Sequence, residues 1–308
     1  MRVVTAERAV TEFSPRFEAV AAVGLGESFA VHTADCYDGQ LSDERAVRPD
    51  VDMARFNRAS GPVAVTGTRP GEWVRVVIER IEVAGRGVLA LTPGLGVLGD
   101  TVEHPSTRVL RVSDGRAWLT PEVGIPLRPM VGILGVATAR ETVPSSTPGE
   151  HGGNLDTRVL TAGTALAVRV NQPGLGLCVG DLHAAMGDGE LGGTGVEIAG
   201  EVRVRVERLG DHTGNRPLVL APEGVHVLAS RTTLDDAVRD GFREAVALMA
   251  RWHDLEWPDA YRLTSVVSDL RVSQVVNPRT TARIAIPAQW CPDSLLATCG
   301  RSSHSCLG

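Results

Sequence analysis

The densest run of chemically capable side chains spans residues 179–190, where carboxylates and one imidazole occur in a glycine-rich segment. Asp181 and His183 stand two positions apart, directly after the apolar residues 175–179, which predict a buried strand. Side chains two positions apart on a strand lie on the same face, so both head groups can reach one point. An oxygen ligand beside a nitrogen ligand is typical of a site for a divalent metal such as zinc.

The second half of this segment predicts a turn that returns acidic side chains to the strand end. Gly187 and Gly189 permit a sharp change of direction, which brings Asp188 or Glu190 toward the same point. Gly–Asp pairs also form ordinary surface turns, but polar groups at the end of a buried strand favour a functional site. We expect Glu190 to act as a general base, while the spacing leaves open how ligand and base roles divide among Asp181, Asp188 and Glu190.

A second polar cluster, at residues 148–156, precedes the first along the chain. His151 follows the proline-rich connector 144–150, which places it on a loop rather than in a core helix. Gly152 and Gly153 remove side chains next to the imidazole and leave room for a small substrate. We therefore predict that His151 is catalytic or a further metal ligand, and that both glycines line the substrate site.

A third candidate segment, residues 35–40, follows the predicted strand 28–31. Cys36 is a potential nucleophile, but no adjacent histidine motif specifies how its thiol would be activated, so a buried, unreactive thiol is the preferred interpretation. Asp35 offers another carboxylate, and we predict it to be a further metal ligand.

Five motifs occur in order along the chain, at residues 35–40, 60–63, 151–156, 180–190 and 269–278. From about residue 33 to about residue 287, this series resembles the acetamidase/formamidase family of bacterial and fungal amide hydrolases. The resemblance implies hydrolysis of a short-chain amide, of the formamide or acetamide type, to ammonia and a carboxylate. Met186 stands where many members carry glutamine, so we expect it to contact the substrate and to influence which amide is preferred.

Lysine is absent from the chain, and all 31 basic residues are arginine. Amidases with a Ser-Ser-Lys centre, nitrilases with a Glu-Lys-Cys centre and Schiff-base enzymes each need a lysine, so these classes are excluded. If the protein cleaves amides, it must activate water by another route, and a metal is the most economical one.

The predicted mechanism combines these residues around one cation. We expect a divalent metal, zinc or alternatively calcium, to be held by His183, Asp181 and Asp35. The metal would polarise the amide carbonyl and lower the pKa of a water molecule, and Glu190 would accept the water proton and pass it to the departing nitrogen. Asn154 and the neighbouring glycine amides would donate hydrogen bonds to the oxyanion.

Two other functions fit the same residues. One is a metal-dependent hydrolase of another carbon–nitrogen bond, of the ureido or guanidine type. The other is a non-catalytic β module whose acidic loop binds calcium. Ammonia release from short amides separates both from an amide hydrolase.

Composition limits the partners and the compartment. A formal net charge of −6 without a basic stripe argues against nucleic acid. The chain contains neither an apolar run as long as a membrane span nor a signal-peptide core at its N-terminus. We expect a cytoplasmic homo-oligomer that acts on a small-molecule amide and contacts neither nucleic acid nor membrane.

The pattern of apolar residues predicts a β-rich α+β fold, with antiparallel sandwich- or barrel-like sheets. Residues 201–209 alternate strictly between charged and apolar side chains, as expected of a half-exposed antiparallel strand. A long helix is predicted over about 233–252, capped by Thr232 or Thr233, and a short helix over about 258–264. Both helices fall in the C-terminal third.

The chain divides into a body and a tail. Residues 1–287 form the predicted catalytic region, either as one unit or as two β-rich subdomains that meet near 140–150. Residues 288–308 are rich in cysteine and serine, and we expect a flexible tail there. Its residues Cys291, Cys299, His304 and Cys306 lack the paired spacing of a zinc knuckle.

Overall fold

The computed structural model describes residues 1–210 and 214–296. Strands dominate these residues, and most of them join one continuous hydrogen-bonded network. In chain order the strands are β1 Arg2–Val4, β2 Ala9–Val10, β3 Glu12–Phe13, β4 Ala21–Gly24, β5 Ser28–Thr33, β6 Ala59–Thr66, β7 Trp73–Leu91, β8 Ser106–Ser113, β9 Arg116–Trp118, β10 Gly124–Pro126, β11 Met130–Gly135, β12 Val143–Pro144, β13 Gly152–Asn154, β14 Ala165–Arg169, β15 Leu175–His183, β16 Glu197–Leu209, β17 Leu218–Ala221, β18 Gly224–Arg231, β19 Asp269–Gln274 and β20 Thr280–Pro287.

The α-helices of the described residues are α1 Leu234–His253, α2 Trp257–Val267 and α3 Asp293–Leu296. Single 3-10 turns occur at Arg48–Asp50, Met53–Arg55, Gly99–Thr101 and Ala288–Trp290. Thr233 caps α1 by accepting the N–H of Asp236, and Asp254 ends the helix in the left-handed conformation. The predicted long and short helices of the C-terminal third are thereby confirmed. None of these helices is both long enough and apolar enough to cross a membrane.

Strand β15, which leads into residues 179–190, lies in the centre of the sheet network. All nine of its residues are buried, and it pairs antiparallel with β6, β11 and β16. Burial on both faces explains why its sequence is a nearly continuous apolar run rather than an alternating one. Its last residue, His183, lies opposite Met130 of β11 and Glu197 of β16, so strands on both sides fix its position.

Strand β16 contains the alternating residues 201–209 but begins earlier than predicted, at Glu197. Its valines at 202, 204 and 206 are buried, and it pairs antiparallel with β5 and β7. The earlier start matters because it places a carboxylate beside His183.

Helix α1 packs on β18 and β20 and closes a second apolar cluster at the C-terminal end of the fold. Gly241 allows the close approach, facing Ile284 and Ala229. Two of the ladders between described strands, β1–β5 and β4–β6, are parallel, and the others are antiparallel. The prediction of a β-rich α+β fold is confirmed.

The start of the predicted tail is folded. The turn at Ala288–Trp290 leads into α3, whose Leu295 is 1% exposed within the cluster that α1 covers. Residues 288–296 therefore belong to the folded body, which corrects the expectation of a flexible segment there. Residues 297–308, with Cys299, His304 and Cys306, lie outside the described residues.

Candidate functional site

His183 stands at the centre of a buried cluster of carboxylates. Its Nε2 lies 3.2 Å from Glu197 Oε2, 3.4 Å from Asp181 Oδ1 and 3.9 Å from Asp156 Oδ1. Each of these four side chains is 4% exposed or less, and Glu190 nearby is 6% exposed. The structure thus brings Asp181 and His183 to one point, as their spacing predicts.

Burial of so many acidic groups shifts their protonation. It raises the pKa of Asp156 to about 7 and that of Glu197 to about 8, and it raises the pKa of Glu190 well above the ordinary value. Burial alone would lower the pKa of His183, but the charges of Glu197 and Asp181 raise it well above its ordinary value. In the absence of a cation, the cluster therefore retains protons at neutral pH.

Several polar atoms of the cluster are buried and, although ion-pair distances join some of them, make no hydrogen bond with a described residue. They are Asp156 Oδ1, Asp181 Oδ1, Glu190 Oε2, Glu197 Oε2 and both ring nitrogens of His183. Buried polar atoms are nearly always paired, so six such atoms in one place indicate that the cluster takes a ligand.

The chemistry of the donor atoms fits a divalent transition metal. Two groups of side chains place their ligand atoms within 4.8 Å of one another, namely Asp156 with His183 and Glu190, and Cys36 with Asp181 and Glu197. Imidazole, carboxylate and thiolate are ligands of zinc, whereas calcium prefers oxygen alone. The residues present therefore fit zinc better than calcium.

Three of the carboxylate residues adopt a backbone conformation that is uncommon outside glycine. Asp156, Asp181 and Glu190 have φ angles of 37°, 54° and 47°. Left-handed residues of this kind are found where the surrounding structure imposes them, often at active sites. Here three of the four acidic residues of the cluster have this conformation.

Two glycines let the chain approach the cluster closely. A β-carbon on Gly132 would lie 2.5 Å from Asp156 Oδ1 and 2.7 Å from the carbonyl oxygen of Asp181. A β-carbon on Gly195 would overlap the ring of His183 at Nδ1. Each glycine thus occupies space that a side chain would take from the site.

The four carboxylates of the cluster line a cavity of about 250 Å³. Arg48 lies 5.1 Å above the ring of Phe56 and is the one arginine among the described residues that line this cavity. The apolar and aromatic residues of the lining are Tyr37, Met53, Phe56, Leu95, Val276 and Pro278. A small cavity lined by both acidic and apolar side chains suits a small molecule with a polar end.

A family model described as the acetamidase/formamidase family matches residues 4–144 and 137–290. The chain belongs to this family. The resemblance carried by the five ordered motifs is thereby confirmed.

Solved structures in the family share the whole fold. An acetamidase from Bacillus halodurans is 34% identical, with a TM-score of 0.91 over 92% of this chain and 97% of that one. A predicted acetamidase/formamidase from Thermoanaerobacter tengcongensis is 36% identical, with a TM-score of 0.89 over 93% of this chain and 95% of that one. A formamidase from Methylophilus methylotrophus is 25% identical over 64% of this chain, and the match spans 63% of the formamidase's length.

Three residues of this site, Asp156, Asn277 and Glu197, are not among the site residues that the sequence predicts. Asp156 ends the motif 151–156, and Asn277 in the motif 269–278 donates a hydrogen bond from Nδ2 to Asp156 Oδ2 at 2.7 Å. Glu197 lies in none of the motifs, and it reaches the site because it pairs with His183 across strands β15 and β16. The motifs therefore contain a sequence signal for Asp156 and Asn277, whereas Glu197 is found only from the strand pairing.

The structure keeps the carboxylate of Asp35 out of the cavity, whereas the buried thiol of Cys36 lines it. Asp35 Oδ1 accepts the N–H groups of Tyr37 and Gly39, so its carboxylate stabilises a turn, and it does not line the cavity. Cys36 does line the cavity, beside Asp181 and Glu197. Burial raises the pKa of the Cys36 thiol, consistent with an unreactive thiol in the absence of a cation.

Asp188 and Met186 lie outside the cavity. Arg283 Nη2 contacts Asp188 Oδ2 at 2.6 Å, so Asp188 is engaged in an ion pair and is not a free base. Met186 lines a separate cavity of about 420 Å³ together with Arg128 and Arg158. Of the acidic residues between 187 and 190, Glu190 is the one that faces the cluster.

His151 and Asn154, although close in sequence, face different cavities. Asn154 lines the cavity of the carboxylate cluster. His151 packs edge-on against Phe13, with ring centroids 4.9 Å apart, and lines another cavity. The N–H of Gly152 is engaged by the carbonyl of Gly149 at 3.1 Å. The structure thus does not bring His151, Gly152 or Gly153 to the cavity that the carboxylate cluster lines.

Proposed function

We propose that this protein hydrolyses a short-chain amide, of the formamide or acetamide type, to ammonia and a carboxylate by metal-activated water. The observation that carries the proposal is the buried cluster of His183 and four carboxylates, in which six ligand atoms make no hydrogen bond with a described residue and whose carboxylates line a small cavity. Membership of the acetamidase/formamidase family and the names of the relatives support amide hydrolysis as the reaction.

The cation would be held by His183, Asp156 and Glu190, whose ligand atoms form one compact group. Asp181 and Cys36 lie beside this group and would complete the ligand field or bind a second cation. When bound, the metal supplies Lewis-acid polarisation of the amide carbonyl and lowers the pKa of water.

Glu197 is our choice for the residue that moves protons. Its Oε1 accepts the N–H of Gly195 at 3.1 Å, which orients the carboxylate, and its Oε2, 3.2 Å from His183 Nε2, accepts no hydrogen bond from a described residue. The water oxygen joins the carbonyl carbon, the carbon–nitrogen bond breaks, and Glu197 carries the water proton to the departing nitrogen.

Asn154 is our choice for the residue that binds the substrate carbonyl. It is 2% exposed, lines the cavity, and is held through its backbone carbonyl, which accepts a hydrogen bond from Asn277. A fixed amide donor of this kind stabilises the oxygen on which negative charge develops. The apolar residues of the lining would contact the substituent on the carbonyl carbon, and the cavity of about 250 Å³ favours a short one.

The alternatives predict different reactivity. A calcium-binding module would release no ammonia, and its oxygen ligands would not include the imidazole of His183. A ureido or guanidine hydrolase would release ammonia only from those compounds. The expected homo-oligomer and cytoplasmic location stay predictions, and light scattering of the purified protein tests the first.

The proposal is tested with verified metal-free protein. Chelation should abolish ammonia release from formamide and acetamide, and zinc or another divalent ion should restore it. His183→Ala should lose metal and activity together, whereas His104→Ala, at an exposed position away from the cavity, should keep both. Full activity of a metal-free sample would exclude the metal-dependent mechanism.

A further inference from the structure

A second polar cavity, of about 570 Å³, contains His151. Its charged lining residues are Arg140, Arg169, Arg216, Arg279, Glu141 and Glu150. None of the residues proposed to act on the amide lines this cavity. The amide reaction therefore does not account for the charged residues of this cavity.

The positive charge of this cavity exceeds the negative charge. Glu150 pairs with Arg216 and Arg231, and the same two arginines also pair with Asp240. Asp240 pairs with Arg243 as well, so three arginines share the two carboxylates. Glu150 is therefore not free to neutralise the other arginines of the cavity.

The remaining charged side chains of the cavity lining are three arginines and one carboxylate. The guanidinium groups of Arg140, Arg169 and Arg279 make no ion pair with any residue in the described ranges, and Glu141 is the remaining acidic side chain in the lining. Unpaired like charges around a concave surface repel one another and create a positive potential that attracts anions. Guanidinium groups also match the geometry of carboxylate and phosphate oxygens.

His151 adds a buried polar group to this cavity. It is 7% exposed, and its Nε2 has no hydrogen-bond partner in the part of the chain that the structure describes. Burial, followed by the charge of Arg279, lowers the pKa of His151 to about 4, so the ring is neutral at pH 7. A neutral imidazole offers one N–H donor without adding repulsion between the ring and Arg279.

A gap without side-chain atoms separates His151 from Arg279. The position of a β-carbon on Gly149 would be 3.2 Å from His151 Nδ1 and 3.3 Å from Arg279 Nη1. His151 Nδ1 and Arg279 Nη1 thus border the same small space, whereas the unpartnered Nε2 of His151 lies toward Gly153, 2.8 Å from the position of a β-carbon there.

We propose that this cavity binds a small oxyanion with two negative charges, of the phosphate or dicarboxylate type, through Arg169, Arg279 and His151. The excess of two positive charges among its unpaired groups matches such a ligand, and the cavity volume is that of a small-molecule site. This proposal does not depend on the amide reaction.

The experiment is a calorimetric titration of the full chain with inorganic phosphate and, separately, with succinate, in a buffer free of other divalent anions. Arg169→Gln and Arg279→Gln should each weaken binding at least about tenfold, because each removes a charge-assisted contact. Arg262→Gln, which removes an exposed arginine of α2 that pairs with Asp259, should bind as the unmodified protein does. The Tm of each variant verifies that its fold is intact.

Comparing phosphate with succinate shows which type of oxyanion the cavity prefers. Binding of phosphate alone identifies a tetrahedral oxyanion, and binding of succinate alone identifies a dicarboxylate, provided that both arginine variants weaken it. The proposal is overturned if neither ligand binds up to about 10 mM, or if Arg169→Gln and Arg279→Gln bind as tightly as Arg262→Gln.

Discussion

Asn277 holds Asp156 in place by donating a hydrogen bond from Nδ2 to Oδ2 at 2.7 Å. The other carboxylate oxygen of Asp156 faces His183 Nε2 at 3.9 Å. We predict that Asn277→Leu lowers metal affinity or kcat/KM by roughly 10–100-fold, the usual effect of removing a group that orients a metal ligand. Metal titration and steady-state kinetics measure the two effects.

Asn171 supplies the control for this variant, because its Nδ2 donates to the carbonyl of Ala137 at 2.9 Å, away from the carboxylate cluster. Asn171→Leu also removes a hydrogen bond to the backbone, but metal affinity should stay near that of the unmodified protein. Equal losses in both variants would mean that Asn277 acts only through general stability.

Gly132→Ala should disrupt the carboxylate cluster. The new methyl group would meet Asp156 Oδ1 at 2.5 Å and the backbone of Asp181 at 2.7 Å, so at least one carboxylate must move. We expect metal affinity and kcat to fall together, by more than tenfold on the scale of a displaced ligand. Gly187→Ala is the matched control, since nothing lies within 4 Å of the position of its β-carbon, and normal metal binding by both variants would contradict the prediction.

The raised pKa values predict that metal-free protein loses stability as pH rises. Burial raises the pKa of Asp156 to about 7 and of Glu197 to about 8. Between the ordinary values of about 4 and these values, the folded state holds more protons than the unfolded state, so stability falls with increasing pH. The raised pKa of His183 acts in the same direction, because its protonated form is the one that the fold stabilises.

The loss of stability should be measured between pH 6.5 and 8. The lowered pKa of His151 makes stability rise with pH, but only below the ordinary histidine pKa of about 6.5. Thermal unfolding of metal-free protein should show Tm decreasing across this window. Zinc-saturated protein should show a smaller slope, because a bound cation replaces protons in neutralising the carboxylates. Equal slopes with and without metal would show that the cluster does not titrate as described.

Truncation tests the packing of the segment after β20. A chain ending at Pro287 lacks Leu295, which is 1% exposed in the cluster beneath α1, and burial of one leucine contributes about 1.5–3 kcal/mol. We expect a lower Tm for this chain than for one ending at Leu296. An unchanged Tm would show that residues 288–296 add nothing to stability.

The sequence predicts the elements of this fold better than it predicts how the site is assembled. Asp181 and His183 are found because their spacing along one strand is a local property. Glu197 is missed because its role depends on the register of β16 against β15, which spacing along the chain does not determine. Asp35 and Cys36 are neighbours in sequence, and only the turn around Asp35 decides that the thiol, and not the carboxylate, reaches the cavity.

The last prediction separates the metal ligand from the base. Glu197→Gln keeps an oxygen for the N–H of Gly195 but cannot accept a proton, so metal should stay bound while kcat falls by roughly 10²–10⁴-fold. Glu190→Gln removes a proposed ligand, so metal affinity should fall along with activity. Glu201→Gln, farther along β16 and paired with His32 at 2.9 Å, should change neither quantity. If Glu190→Gln keeps its metal and Glu197→Gln loses it, the two roles are exchanged, and Glu190 is the base that the sequence first predicts.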